Sequence, residues 1–211
     1  VHEYRVLETE QIHHGWCYDL VAETVAMPGG GSPASAGPID GSPASAGPTD
    51  GSQASPNVAR REFLVHCGAV VAVPLDESGR VGLIRQYRVP AKEVLWEFPA
   101  GLRDVEGEDP AVCAARELAE EVDLRADHWV RLGEFYTTPG ISNERIHYFL
   151  ASGLSRVPEA ERHERTDEET HIELVWWDLD KALAAVADGE IRNGVCALAL
   201  NLARLHLEAS K

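Results

Sequence analysis

GLRDVEGEDPAVCAARELAEEVDL, residues 101–124, contains the helix on which the reading of this chain turns. Asp109 followed by Pro110 is a helix start. The aspartate side chain can accept from the first free N–H groups, and proline suits the first helical position because it has no N–H to leave unpaired. The spacing predicts a helix over Pro110–Val122, with Ala111, Ala115, Leu118 and Val122 on one face and Glu117, Glu120 and Glu121 on another. Three carboxylates on one stripe repel one another unless a cation neutralises them. Hard oxygen donors of this kind suit Mg²⁺ or Mn²⁺, which complete their shells with water and substrate phosphates. An ordinary solvated acidic face accounts for the same glutamates taken alone.

Outward from this helix the chain alternates strands with a few helices. Strands are expected at Trp16–Met27, within Phe63–Leu75, and at Val81–Arg88, Val94–Phe98, Trp129–Tyr136, Arg145–Leu150 and Ile172–Trp177. Further helices are expected at Leu179–Ala187 and Gly194–Leu207, the latter turning Val195, Leu198, Leu202 and Leu205 to a core. Such a mixture predicts an α+β fold built in layers. Residues 29–56 stand apart. They are almost entirely Gly, Ser, Ala and Pro, and GSPASAGPID at 31–40 is nearly repeated at 41–50. With Ile39 as its one large apolar residue, the stretch cannot offset its ordering entropy by burial and is read as a flexible connection between two strands. The expected organisation is an N-terminal strand arm with this insert over 1–60 and a catalytic domain over 61–211.

Charge narrows the function classes. The chain of 211 residues carries 19 basic and 35 acidic residues, a net −16. A surface that negative repels nucleic acid and anionic membranes, and any phosphate substrate must be drawn in locally by a metal ion or a few arginines. Cys17, Cys67, Cys113 and Cys196 form no CxxC pair, so neither a zinc site nor a disulfide framework is expected. With a polar start and no membrane-length apolar run, a cytoplasmic protein is the expectation.

Around the acidic helix the fixed positions accumulate. Glu108 precedes it, and Arg116, Glu117, Leu118, Glu120, Glu121 and Leu124 follow in order. This resembles the Nudix box: a glycine, a glutamate, then Arg-Glu-apolar-any-Glu-Glu, a glycine and an apolar residue. Two positions depart from it. Gly101 lies one residue farther from Glu108 than the usual spacing. Asp123 stands where the box has a glycine, a position that usually needs a left-handed backbone, which Asp tolerates at modest cost. Beyond the box, LWEFPAG (Leu95–Gly101), RQYR (Arg85–Arg88) and Pro139 in TTPGISNE (Thr137–Glu144) are similar to ADP-ribose pyrophosphatases. The likeness runs over roughly residues 60–205, and related sugar-nucleotide enzymes share parts of these outer motifs.

The resemblance implies a Nudix α/β/α sandwich and hydrolysis of a nucleoside diphosphate sugar, with ADP-ribose first and GDP-mannose or ADP-glucose as alternatives. A non-catalytic ADP-ribose-sensing module is the reading from another class, although such a module would be expected to lose carboxylates that this box keeps. The resemblance assigns metal ligation to Glu117 and Glu121, with Glu120, Glu108 and the carbonyl of Ala100 beside them. It gives Arg116 the task of holding carboxylates in place. Arg88 and Glu144 fall at substrate-binding positions, Arg88 also being open to a plain surface ion pair. Trp96 has two readings, stacking on a base or filling the core. The catalytic base is sought in TDEETH (Thr166–His171), Glu168 before Glu169. A homodimer with the N-terminal arm reaching its partner is the implied assembly.

Overall fold

AVVAVP, residues Ala69–Pro74, forms strand β4, which is buried at every position. A strand buried on both faces reads as one continuous apolar run, and its neighbours must then lie above and below it. The computed structural model, which describes residues 3–28, 57–165 and 170–210, bears this out. The insert at 29–56 and the acidic segment 166–169, with Glu168 and Glu169, lie outside the described residues.

Numbered in chain order, β7 (Ala100–Leu102), β9 (Arg145–Arg156) and β8 (Leu124–Tyr136) complete a four-stranded sheet of order β7-β4-β9-β8. β4 runs parallel to β9 and antiparallel to β7. Val70 and Ala72 face one cluster, shared with Phe149 of β9 and with Cys113, Ala114 and Leu118 of helix α1 (Pro110–Val122). Val71 and Val73 face the other, shared with α2 (Leu179–Ala187) and α3 (Gly194–Ala209). One helix below and two above give the α/β/α sandwich. A second, antiparallel sheet joins β10 (Val175–Asp178), β5 (Arg80–Arg88) and β6 (Glu93–Glu97) in that order.

The chain divides into two compact units, one ending at His66 and taking in Gly140–Ser142, the other containing the sandwich. The first is an antiparallel sheet of β1 (Arg5–His14), β2 (Tyr18–Ala26) and β3 (Val58–His66). The flanks of the insert pair directly, Ala26 opposite Val58, with Met27 N–H donating to Asn57 O at 2.7 Å. The insert thus joins adjacent antiparallel strands.

Several sequence expectations need correcting. The apolar run Phe63–Leu75 is two strands, because Gly68 takes φ 89° and lies so close to the Arg145 carbonyl that a Cβ would sit 3.0 Å from it. β10 starts at Val175 rather than Ile172, while β8 and β9 are longer than expected. On α3 the core is met by Cys196, Ala199, Leu200 and Ala203. Val195, Leu198 and Leu202 pack at its margin, and Leu205 is 62% exposed. Small side chains let this helix lie close to the sheet, so its buried face is not the one marked by its largest residues. On α1 likewise, Ala111 and Ala115 are only half-buried, whereas Cys113 and Ala114 are fully buried and Glu117 and Glu121 go inside with Leu118.

Candidate active site

Helix α1 is fixed at both ends. Asp109 accepts from Ala111 N–H at 2.8 Å, with Pro110 in the first turn. At the other end Asp123 adopts the left-handed conformation, φ 54° and ψ 38°, and its N–H bonds back to Ala119 O at 3.2 Å. The aspartate that replaces the box glycine is held there by an ion pair from Arg165 at 2.7 Å, and the same arginine donates to Glu120 O at 2.9 Å. One side chain from outside the helix therefore caps its last turn. Nothing in the sequence marks Arg165, because it lies 45 residues from its acceptor.

Between these caps Arg116 gathers three carboxylates. Its Nε and Nη2 donate to Glu108 at 3.2 and 3.1 Å, and its Nη1 to Glu117 at 2.7 Å and Glu120 at 3.2 Å. The guanidinium holds the Glu108 carboxyl below the usual carboxylate range, and the carboxylates in turn raise Arg116. Cys113 lies fully buried beside them, its thiol pushed up to about 12 by burial and by its bond with Glu108. It is a neutral packing group rather than a nucleophile.

Glu117 and Glu121 turn from the solvent toward β7 and are 9% and 4% exposed. Ala100 N–H donates to Glu121 at 3.0 Å. Gly101 has no Cβ, and a methyl group there would overlap the Glu117 carboxylate. The glycine is thus required by close approach of a charged side chain to the strand. Two buried carboxylates against a strand edge, with Glu120 and Glu108 alongside, are the hard-oxygen donor set that Mg²⁺ or Mn²⁺ takes, and the site fits such an ion. Among the described residues no group of three or more His, Cys, Asp or Glu side chains is placed so as to hold a metal ion on its own. An octahedral ion bound mostly through water and substrate phosphates does not need one.

The remaining candidates lie on the second sheet and the β8–β9 loop. Arg88 forks onto Glu97, with bonds of 2.9, 3.1 and 2.5 Å, an ion pair whose carboxylate is buried, unlike the plain surface pair that the sequence also allows. Trp96 packs edge-on against Trp177 at 5.2 Å, and the Arg85 guanidinium lies 5.2 Å over its ring. It sits at the margin of the core. Glu144 accepts from the Thr137 hydroxyl. Glu168 and Glu169 fall outside the described residues.

Comparison with known proteins adds to this geometry. The family model of the NUDIX domain matches residues 65–197. The ADP-ribose pyrophosphatase of Mycobacterium tuberculosis is 35% identical over 194 residues, covering 92% of this chain and 80% of that protein. A GDP-mannose pyrophosphatase of Yersinia pestis is 33% identical over 145 residues, covering 66% of this chain and 71% of that protein. A crystal structure described as an ADP compounds hydrolase has a TM-score of 0.72 at 20% identity, covering 99% of this chain and 96% of that one, a likeness of fold.

Proposed function

The chain belongs to the NUDIX family and is a Nudix hydrolase, and from that premise we propose that it cleaves the pyrophosphate bond of a nucleoside diphosphate sugar, ADP-ribose before GDP-mannose. The observation that carries the reading is the pair Glu117 and Glu121, buried against β7 within a box that keeps every carboxylate. Similarity to the ADP-ribose enzyme extends over 92% of the chain and to the GDP-mannose enzyme over 66%, which favours the former substrate.

In this reading Glu117 and Glu121, with Glu120, Glu108 and the Ala100 carbonyl, hold a divalent Mg²⁺ or Mn²⁺. When bound, such an ion neutralises charge on phosphoryl oxygens and lowers the pKa of water. Arg116 keeps Glu108, Glu117 and Glu120 in one arrangement despite their mutual repulsion. Arg88, Trp96 and Glu144 are the candidates for holding the nucleotide and sugar. Glu168, or Glu169 beside it, is the proposed base that takes a proton from the attacking water. The products are AMP and ribose 5-phosphate.

The test is a panel of nucleoside diphosphate compounds assayed with Mg²⁺ and with Mn²⁺, the products being separated. ADP-ribose is expected to give the highest kcat/KM; a preference for GDP-mannose would transfer the assignment, and no cleavage of any compound would end it. Glu168→Gln is expected to lower turnover by about a hundred- to ten-thousand-fold with metal affinity unchanged. If Glu169→Gln does so instead, the base is the neighbouring residue.

A further inference from the structure

A cavity of about 390 Å³ lies against α1, lined by Arg116 and Glu120 together with Arg125, Glu161, Arg162 and His163. Its size falls in the range of small-molecule sites. Glu120 lines it while accepting from Arg116, so the cavity adjoins the carboxylate cluster. Arg116 is taken up by Glu108, Glu117 and Glu120, which leaves Arg125 and Arg162 as the arginines that can face an anion in this space. Arg125 is paired with Glu161 at 2.7 Å in an exposed contact, and Arg162 is held through its Nε, 3.3 Å from Val157 O and 4.0 Å from the Asp123 carboxylate. Among the described residues the outer edge of Arg162 is left for a ligand, and the Arg125–Glu161 pair, being exposed, is weak enough to exchange for a stronger anion.

We propose that this cavity binds a phosphomonoester dianion, the group that cleavage creates, and so retains product. The inference rests on the pyrophosphatase reading. In that reaction the oxygen of water joins one phosphorus as the bridging P–O bond breaks, and the bridging oxygen leaves with the other phosphorus. The protons go to solvent, and both products end in a phosphomonoester. Each bridging phosphoryl of the substrate carries one negative charge, whereas a phosphomonoester carries about −1.5 to −2 at neutral pH. The guanidinium groups of Arg125 and Arg162, next to the carboxylate cluster, therefore favour product over substrate.

The experiment is calorimetric titration of the full chain with inorganic phosphate, AMP and ribose 5-phosphate, alongside product inhibition of the hydrolase. Arg125→Gln and Arg162→Gln are each expected to weaken phosphate and phosphomonoester binding roughly tenfold, the effect of one lost charge-assisted contact, and to relieve product inhibition to the same extent. Glu161→Gln frees Arg125 and is expected to tighten binding, a gain that misfolding cannot imitate. No binding to the wild-type chain, or equal binding by all variants, overturns the proposal. Binding of inorganic phosphate without either phosphomonoester overturns product retention and points to free phosphate as the ligand. Because the titrations need no turnover, a chain that binds as expected but cleaves no nucleoside diphosphate overturns the pyrophosphatase reading and with it the product role, and leaves the phosphomonoester site itself standing.

Discussion

Glu117 is a charged side chain lodged against a strand, so it can be disturbed either by removing its charge or by filling the space it occupies. Glu117→Gln keeps the shape and the bond with Arg116 but removes the charge, and Glu121→Gln still accepts from Ala100 N–H. Both variants are expected to fold, by circular dichroism, while metal affinity and turnover fall at least about a hundredfold. Gly101→Ala leaves all carboxylates in place yet adds a methyl group where Glu117 lies, so it is expected to lower metal affinity as well. Normal metal binding by Gly101→Ala would show that Glu117 can stand off the strand without loss. Glu108 gives a pH signature. Its folded pKa is depressed, chiefly by the hydrogen bond from Arg116. Its contribution to stability is present above the ordinary carboxylate value and is lost as pH falls through the depressed one. Thermal melts of Glu108→Gln are expected to show a smaller gap from wild type at acid pH than at pH 7. A constant gap would mean that the pair with Arg116 does not contribute to stability.

At the scale of the element, α1 and α2 were legible to the residue because their ends are written in capping chemistry, Asp109-Pro110 for one and Asp178 for the other. Other features were hidden for physical reasons. β7 is three residues long, too short to show alternation, and β1 is exposed along its whole length, so its sequence carries no buried period. Helical spacing sets the carboxylates of α1 on a face apart from its apolar one but does not show that this face is covered; Glu117 and Glu121 are inside because Ala100 N–H and Arg116 receive them. The Asp123 turn was foreseen, but its partner Arg165 was not. That pairing makes a clear contrast between two substitutions. Both Asp123→Ala and Asp123→Gly lose the ion pair, but only alanine keeps the strain of φ 54°. Asp123→Gly is expected to be the more stable by about 1 kcal/mol, or roughly 2–4 °C in Tm for a chain of this size. Equal melting points would show that the left-handed turn is not kept in the variants.

For the whole molecule the open matter is what the N-terminal strands are for. Among the described residues of β1–β3, Val21 and Ala22 are the buried apolar side chains, at 8% and 3% exposure. Val6, Ile12, Tyr18 and Val58 remain exposed on the same sheet, and Trp16, on the turn between β1 and β2, is 93% exposed. Three strands with so small a core are marginal by themselves, since a sheet needs a covered apolar face to hold together in water. A second copy of the chain is the occupant we propose, completing by association what the arm cannot bury alone. Light scattering at assay concentration is then expected to give twice the mass of the chain. Replacing Val6 and Ile12 of β1 with lysine should move the protein toward monomer, and the exposed positions of both residues give no reason for the sandwich to unfold. If the monomer retains full turnover, the arm serves assembly alone; if turnover falls with the dimer, substrate binding draws on the partner. A wild-type chain that is monomeric and fully active would exclude the dimer, and the exposed apolar sheet would need a different cover.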